Sequence, residues 1–500
     1  MGVEVERKFT VHGLYALPTL TNPEAGVVNA VPSSALDLRA TYYDTADLRL
    51  AREGITLRHR TGENPARWTL KLPLRGGGAH TREEIDVVGT ARSVPEEIAD
   101  LLTAWTRGAS VEPVAVLRTR RRPYVLSDAD DVVLGELVDD TVSVLEGRRV
   151  VARFREIEIE GEETPGLLWL GSAIRDAGAV AGEFVPKAIR ALGARASAPP
   201  DLPVATEVRK NDPAGDVVTQ SLRANVRRLV LADVGVRRDI DDAVHQMRVA
   251  CRRMRSELKT FGSLVDATWA DRLREELSWL ADELGAARDF EVLAERIAAV
   301  SADPAAPLDP APVGVLLDEL SRRQQGAAER VGGALRSPRY VALVDELIRA
   351  AQSPPLTAAA ERPAGVALPP LVRVTWQQLA RSARRLRADQ PAERFHRTRI
   401  LAKRARYAAE ACAPVLGAPA DRLAKACASV QSVLGEMQDG AVAADFVREV
   451  AAAHPGNGGV SFAAGQLVER ERHAALRTQE ALLGLWPQID RKRIHGWLSG

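Results

Sequence analysis

The spacing of apolar positions changes along the chain and divides it into two parts. Up to about residue 193, short segments alternate apolar and polar residues with a period of two, which is typical of β-strands. From about residue 217 onward, apolar residues recur every three or four positions, as in amphipathic helices. The pattern predicts an α+β multidomain protein with a β-rich domain over residues 1–193 and an all-α domain over residues 208–500.

Segments rich in proline mark the boundaries of these parts. Residues 194–207 (ARASAPPDLPVATE) have the composition of an interdomain linker. A second Pro-rich stretch, residues 352–370, lies within the helical region. We therefore expect that region to consist of two halves, at about 208–351 and 371–500.

The two helical halves contain a repeated motif. The segment HQMRVACRRMR, which begins at His245, aligns with HRTRILAKRAR, which begins at His396, and the two lie 151 residues apart. Each copy is followed by a Leu-Gly pair and an aspartate at nearly the same offset, namely Leu284, Gly285 and Asp289 in the first and Leu434, Gly435 and Asp439 in the second. Two matches at nearly one offset, 151 and 150 residues, indicate an internal duplication.

Charged residues share one face of nearly every predicted strand of the N-terminal part. Acids dominate the first and last strands, at Glu4, Glu6, Glu136, Asp140, Glu156, Glu158 and Glu160. Cations dominate the middle strands, at Arg58, Arg60 and Lys71. For one strand alone, a sheet with one solvated face is the simpler interpretation. The whole set favours a closed sheet whose charged face points inward, with its apolar outer face covered by helices near residues 95–105 and 167–177.

Such a lumen would have an acidic wall and a basic wall, and we expect it to repel itself when empty. A ligand with several phosphates would neutralise the cations, and a divalent metal would neutralise the carboxylates. Hard cations such as Mg²⁺ and Mn²⁺ prefer carboxylate oxygens. The pattern therefore predicts a polyanionic ligand together with a divalent metal ion.

The segment Glu4-Val-Glu6-Arg-Lys8 resembles the ExExK signature of the CYTH family, the triphosphate tunnel metalloenzymes. The resemblance covers residues 1–193. It continues in order through Tyr43-Asp44-Thr45, Leu57-Arg58-His59-Arg60, Thr69-Leu70-Lys71, Arg118-Thr119-Arg120, Glu156-Ile157-Glu158-Ile159-Glu160 and Lys187.

The resemblance implies a closed antiparallel β-tunnel that binds triphosphates with Mg²⁺ or Mn²⁺. The implied metal ligands are Glu4, Glu6, Asp140, Glu156 and Glu158. The implied triphosphate-binding residues are Lys8, Arg58, Arg60, Lys71, Arg118, Arg120 and Lys187. The signature residues Glu4, Glu6 and Lys8 are also the candidate catalytic residues. Asp140 is chosen because it shares a face with Glu136, and Asp139 is the open alternative.

The helix around residues 244–261 carries a basic stripe beside its apolar seam. The predicted polyphosphate-binding residues are His245, Arg248, Arg252, Arg253, Arg255 and Lys259, and in the second copy His396, Arg399, Lys403, Arg404 and Arg406. A solvated helix face usually interleaves acids and bases, but Glu257 is the single acid between His245 and Lys259. Because guanidinium groups suit phosphate oxygens, the duplicated stripe predicts a phosphate-binding surface.

The duplicated motif, with its later Leu-Gly and Asp residues, resembles the CHAD domain over residues 208–500. This resemblance implies two pseudo-symmetric helical bundles and an association with inorganic polyphosphate. A CHAD domain commonly follows a CYTH domain, so the two resemblances support each other.

Composition narrows the range of partners and compartments. The chain has 68 Lys and Arg residues against 67 Asp and Glu residues, which excludes a function based on an overall positive charge. Aromatic residues make up 4%, so base stacking is disfavoured and nucleic acid is not an expected partner. The three cysteines form no CxxC pair, which favours a reducing compartment. With no signal peptide or apolar span in the sequence, we expect no membrane partner and a cytoplasmic protein, with polyphosphate granules as one location.

The sequence thus predicts hydrolysis of a triphosphate in the tunnel and polyphosphate binding by the basic helices. The CYTH family includes enzymes that hydrolyse inorganic triphosphate or thiamine triphosphate and others that cyclise ATP. The sequence offers no obvious aromatic cluster for binding a base, which favours the smallest substrate, inorganic triphosphate. A non-catalytic polyphosphate adaptor or granule component is the alternative from another class.

Overall fold

The computed structural model describes residues 5–73, 82–181, 186–304, 306–387 and 389–499. The chain forms two compact units that adjoin in sequence between residues 201 and 202, within the 194–207 segment. Within the described residues, no helix combines the length and the apolar character needed to span a bilayer.

The first unit contains one antiparallel sheet. Its strands are β1 (Val5–Val11), β2 (Asn29–Pro32), β3 (Leu36–Asp44), β4 (Thr56–Thr61), β5 (Arg67–Pro73), β6 (Arg82–Val88), β7 (Glu112–Ser127), β8 (Val133–Glu146), β9 (Arg149–Gly161) and β10 (Val180–Ala181). Their order across the sheet is β10-β1-β9-β8-β7-β3-β4-β5-β6, and β2 pairs with β7. Among the described residues, the end strands β6 and β10 do not pair with each other, so the expected closed ring is not completed by strand pairing.

Helices cover the apolar face of this sheet, as the alternating pattern predicts. The helices of this unit are α1 (Arg49–Arg52), α2 (Glu96–Leu101), α3 (Thr103–Thr106), α4 (Pro165–Asp176) and α5 (Lys187–Leu192). Leu167, Leu170 and Ile174 of α4 pack against apolar residues of β1, β8 and β9, such as Ile157. The α4 helix begins there because Thr164 caps it, its hydroxyl accepting from the Leu167 amide at 3.3 Å.

The second unit is almost entirely helical, which confirms the α+β multidomain class. Its helices are α6 (Ala214–Arg237), α7 (Ala243–Thr260), α8 (Ala267–Ser301), α9 (Pro310–Arg336), α10 (Pro338–Gln352), α11 (Ala364–Ala383), α12 (Ala392–Leu416), α13 (Ala418–Ala453), α14 (Gly458–Ile489) and α15 (Lys492–His495). Successive helices pack together from α6 to α9 and again from α11 to α14. Between the two series, α7 contacts α12, α8 contacts α13 and α9 contacts α14, so the duplicated helices meet at the centre of this unit.

The three cysteines lie in the buried core that these helices form together. Cys251, Cys412 and Cys427 are free and fully buried. Burial raises the pKa of the Cys251 and Cys427 thiols to about 12. The thiols are therefore protonated packing groups at neutral pH.

Candidate functional site

The strand register of the first unit places alternate residues of six strands on one side of the sheet. Residues paired directly across an antiparallel ladder point the same way, so one known position defines a whole row. We call this side the charged face. Its members include Lys8 (β1), Arg58 and Arg60 (β4), Lys71 (β5), Arg121 (β7), Asp140 (β8), and Glu156, Glu158 and Glu160 (β9).

A carboxylate triad, Asp140, Glu156 and Glu158, lies at the centre of the charged face. All three residues are buried, and one carboxylate oxygen from each lies within 4.8 Å of the others. Lys8 approaches the triad from β1, with its Nζ 2.6 Å from Glu158 Oε1 and 3.8 Å from Glu156 Oε1. The sequence-predicted lysine and acids therefore meet in one place.

Lys187 reaches the same triad from the first turn of α5. Its Nζ lies 2.5 Å from Asp140 Oδ2, 2.9 Å from Glu156 Oε1 and 3.4 Å from Glu158 Oε1. Burial would lower the pKa of this ammonium group, but the three carboxylates raise it well above its ordinary value. Lys187 therefore stays charged while buried.

These cations also control the ionisation of Glu158, one member of the triad. Burial would raise the pKa of Glu158, but Lys187 and Lys8 together lower it well below its usual range. The depressed pKa keeps Glu158 ionised at neutral pH. Three buried carboxylates with converging oxygens are a donor set that suits Mg²⁺ or Mn²⁺. The two ammonium groups already contact these oxygens, so a metal would have to share or displace them.

The structure places Arg121, and not Arg118 or Arg120, beside the triad. Arg121 makes a bidentate pair with Asp140, with Nε to Oδ1 at 3.0 Å and Nη2 to Oδ2 at 2.8 Å. Arg118 and Arg120 are exposed on the other side of β7. The prediction took these two residues from the Arg118-Thr119-Arg120 match, and they lie on the face of β7 opposite to that of Arg121. The signal that would have found Arg121 is its pairing across the ladder with Asp140.

Arg190 is a second cation that the sequence reasoning missed. It lies one turn beyond Lys187 on α5, and its Nη1 is 3.1 Å from Glu156 Oε2. Its guanidinium also lies 3.9 Å from the centre of the Phe154 ring. Because residues three apart share a helix face, the predicted role of Lys187 already pointed to Arg190.

The basic wall of the charged face is less fully neutralised than the triad. Arg60 Nη2 lies 2.7 Å from Glu63 Oε2, and Lys71 pairs with Glu84. The Nε donors of Arg58 and Arg60 are buried without an acceptor among the described residues. The pKa of Arg60 is lowered by burial and by the nearby charge of Arg58. This wall is suited to accept an anion, because unsatisfied guanidinium donors favour phosphate oxygens.

The expectation that the empty lumen repels itself is wrong, because cations inside it contact the acids. Four cations, Lys8, Arg121, Lys187 and Arg190, pair with the triad. The predicted separation into an acidic wall and a basic wall assumed that the opposite charges stay apart. Folding instead brings these cations into contact with the acids, while the Nε donors of Arg58 and Arg60 remain without an acceptor among the described residues.

Three further predicted residues have different placements. Glu4 lies outside the described residues. For Glu6 only the backbone is described, and it pairs with Glu160 of β9. Asp139 points away from Asp140 and binds Arg155, with oxygen–nitrogen distances of 2.7 and 2.8 Å. Of the two aspartates that the sequence left as alternatives, Asp140 is therefore the one at the triad.

In the second unit, cations of α7 and α12 converge where the two halves meet. We call Arg248, Arg252, Arg399 and Lys403 the basic cluster. Burial and the charges of Arg399, Arg252 and Arg248 lower the pKa of Lys403 to about 7. Burial also lowers the pKa of Arg252, and Arg248 and Arg399 contribute. Burial and the mutual repulsion of these cations would both be relieved by a bound anion.

The Leu-Gly and Asp residues of each repeat support this cluster. A Cβ atom at Gly285 would lie 3.6 Å from Arg248 Nη2, and one at Gly435 would lie 3.8 Å from Arg399 Nη2, so each glycine adjoins the corresponding guanidinium. Arg248 Nη1 pairs with Asp289 Oδ1 at 2.6 Å. In the second copy, Arg399 Nη2 lies 3.8 Å from Asp439 Oδ1. The two motifs of each repeat are therefore parts of one pseudo-symmetric site.

Other residues of the predicted stripes lie around the basic cluster or have their own partners. Arg253 and Arg406 each contact Glu410 at 2.6 Å. Arg404 contacts the Gln378 side chain at 3.3 Å. The remaining stripe residues range from half-buried to exposed, at His245, Arg255, Lys259 and His396. The structure therefore separates a central group of four cations from neighbours such as Arg253, which join the two helices.

Comparisons with known proteins agree with this organisation. Residues 2–189 match the model of the CYTH domain, and residues 220–448 match the model of the CHAD domain. An uncharacterized protein of Mycobacterium tuberculosis is 33% identical over 517 residues, covering 98% of this chain and 96% of that protein.

Two solved structures resemble part of the chain. PptA from Streptomyces chartreusis has a TM-score of 0.45 and 24% identity, and the match covers 55% of this chain and 99% of that one. The CHAD domain from the plant Ricinus communis has a TM-score of 0.45 and 28% identity, with 56% and 94% of the two chains covered.

Proposed function

The chain belongs to the family of proteins in which a CYTH domain is followed by a CHAD domain, and from this premise we propose two linked functions. The charged face of the first unit hydrolyses a triphosphate, preferably inorganic triphosphate, with Mg²⁺ or Mn²⁺. The basic cluster of the second unit binds inorganic polyphosphate. The observation that carries the first function is the buried carboxylate triad on the same face of the sheet as Arg58 and Arg60, whose Nε donors have no acceptor among the described residues.

The proposed mechanism assigns separate tasks to the two walls. Arg58, Arg60 and Arg121 bind the phosphate oxygens and hold the substrate across the face. A metal held by Asp140, Glu156 and Glu158 would polarise the phosphoryl group and orient an attacking water. Lys8 and Lys187 keep Glu158 ionised, and their ammonium groups lie where they could also contact substrate oxygens.

The substrate preference follows from the kinds of groups on the charged face. The groups that converge there are ammonium, guanidinium and carboxylate groups, which recognise phosphate and metal rather than an organic moiety. Inorganic triphosphate presents only such chemistry. Thiamine triphosphate and ATP are the competing substrates, and cyclic AMP formation from ATP would identify a cyclase.

The experiment that tests the proposal measures orthophosphate release from inorganic triphosphate with Mg²⁺, with Mn²⁺ and with chelator. Thiamine triphosphate and ATP are assayed in parallel. Metal-dependent release supports the enzyme. A folded protein that binds polyphosphate but hydrolyses none of the three substrates would favour the alternative function, a non-catalytic polyphosphate adaptor.

Replacing Arg121 is expected to impair catalysis, whereas replacing its exposed neighbours is not. Arg121→Gln should lower kcat/KM for inorganic triphosphate by about 10–100-fold, because a phosphate-binding guanidinium that also positions Asp140 is lost. The double variant Arg118→Gln/Arg120→Gln should retain wild-type kcat/KM. Steady-state phosphate release measures both. A larger loss of kcat/KM in the double variant than in Arg121→Gln would instead assign phosphate binding to Arg118 and Arg120.

Polyphosphate binding is expected to weaken as pH rises from about 6 to about 9, because Lys403 loses its proton in that range. Its pKa of about 7 in the free protein means that the ammonium form exists below neutrality and is lost above it. Arg399 on α12, Arg248 and Arg252 on α7, and Asp439 on α13 act on this group. A bound phosphate chain should raise the pKa, so binding above neutrality should take up a proton.

Isothermal titration calorimetry in buffers of different ionisation enthalpy measures this proton uptake. Lys403→Arg keeps the charge and should abolish both the uptake and most of the pH dependence above neutrality. Titration of His245 does not explain a pH dependence above neutrality, because burial and nearby cations lower its pKa below its ordinary value, which is already lower than that of a lysine. Equal proton uptake by wild type and Lys403→Arg would contradict the assignment.

A further inference from the structure

A second concentration of arginines lies between α11 and α12, outside the basic cluster. Arg381 on α11, Arg385 just beyond the end of α11, and Arg394 and Arg397 on α12 line one cleft of about 650 Å³. All four residues are exposed. We call this feature the arginine cleft. None of the four belongs to the duplicated stripe that the sequence pattern selected.

The arginine cleft and the basic cluster occupy different sides of α12. Arg394 and Lys403 are nine residues apart, which is about two and a half turns, so their side chains leave the helix in opposite directions. The buried seam of α12, which includes Phe395 and Ala402, lies between the two faces. A ligand in the cleft therefore does not contact the basic cluster through the same surface of this helix.

The four arginines of the cleft differ from several exposed arginines of this unit in lacking acidic partners. Some exposed arginines elsewhere in this unit pair with nearby acids, as Arg339 does with Glu276 at 2.7 Å and Arg349 with Asp345 at 2.7 Å. Among the described residues, Arg381, Arg385, Arg394 and Arg397 form no ion pair with a carboxylate. Glu393 is the one acid among the residues that line the cleft, so the lining carries an excess of positive charge.

The other lining residues indicate what kind of anion fits. They are Gln378, Ser382, Leu386, Gln390 and Leu401, and they include no aromatic ring. Proteins that bind single-stranded nucleic acids without sequence preference usually add stacking of the bases on aromatic side chains, which this lining does not provide. Guanidinium groups projecting from two helices can grip successive phosphates from both sides.

We propose that the arginine cleft is a second polyphosphate-binding site, separate from the basic cluster. The choice of ligand rests on the proposed polyphosphate-binding function. Two sites on one unit allow a long chain to bind at both, which strengthens its binding beyond that of either site alone. Short chains occupy the two sites independently.

Calorimetry with a short polyphosphate of about 15 phosphates tests the two-site arrangement. Wild-type protein should bind two equivalents, and Arg381→Gln/Arg394→Gln should bind one. Arg248→Gln/Arg399→Gln should also bind one, at the remaining cleft. Arg422→Gln/Arg477→Gln, which removes two exposed arginines on α13 and α14, is the control with the same charge change and should keep two.

Long chains of about 300 phosphates provide the second readout, and the cleft variant should bind them about tenfold more weakly than the control variant. Two equivalents of the short chain in the cleft variant, or equal loss in cleft and control variants, would overturn the second site. Loss of single-stranded DNA binding in the cleft variant with unchanged polyphosphate binding would overturn the choice of ligand. If wild-type protein binds no polyphosphate, the proposed function of the unit fails first, and the second polyphosphate site fails with it.

Discussion

Asp140→Asn should reduce metal-dependent release of orthophosphate from inorganic triphosphate by a factor on the order of 10²–10³. The substitution removes one charge from the triad and replaces a carboxylate oxygen with an amide, which is a poor ligand for a hard cation. It also breaks the bidentate pair that holds Arg121, whose contacts with Asp140 are 2.8 and 3.0 Å long. The measurement is kcat/KM for phosphate release at saturating Mg²⁺ and Mn²⁺.

The adjacent variant Asp139→Asn is a closely matched control. Asp139 is equally buried and also pairs with an arginine, Arg155, but on the opposite face of the same strand. Both variants therefore lose a buried ion pair and should have similarly lowered free energies of unfolding, which urea denaturation can compare. Asp139→Asn should keep near wild-type turnover. Similar activity in the two variants would refute the placement of the metal at the triad.

Reversing two charges of the basic cluster should reduce polyphosphate affinity by at least about 100-fold at low salt. The variant is Arg248→Glu/Arg399→Glu, which changes both copies of the repeat at equivalent positions. The new carboxylates would lie beside Asp289 and Asp439, so the site would repel phosphate instead of attracting it. Titration with labelled polyphosphate at two salt concentrations measures the loss.

The control for this prediction is Arg422→Glu/Arg477→Glu, which changes the net charge equally on exposed parts of α13 and α14. It should lose less than about threefold in affinity. Salt should weaken the wild-type interaction strongly and the doubly reversed variant little, because the screened attraction is already gone. Unchanged affinity in Arg248→Glu/Arg399→Glu would remove the basic cluster from the binding surface.

Several parts of the candidate sites were accessible from local sequence patterns. The alternation in Glu156-Ile157-Glu158 assigns two acids to one face of a strand whatever its neighbours are. Spacing of three and four residues likewise places Arg248 and Arg252 together on α7. The duplication then predicts equivalent positions on α12. Such inferences succeed because they depend on residues that are close in sequence.

The placements that failed depend on residues far apart in sequence. Choosing Arg121 over Arg118 and Arg120 required knowing which residue of β7 lies opposite Asp140. A shift of one residue in register exchanges the two faces of a strand. Predicting the role of Arg190 required knowing that α5 packs next to Glu156. Alternation defines two faces, but only the pairing of strands decides which face a given residue shares with the triad.

The sequence by itself determined the two domain types, the repeat, the acidic set of β9 and the basic stripes, since each follows from local periodicity or a repeated motif. Tertiary structure alone decided that lysines neutralise the triad, that glycines adjoin the guanidiniums of the basic cluster, and that Arg253 joins the two halves through Glu410. The physical reason is that charge pairing and desolvation depend on distances of a few ångströms between distant segments. Those distances arise only when the strands and helices pack.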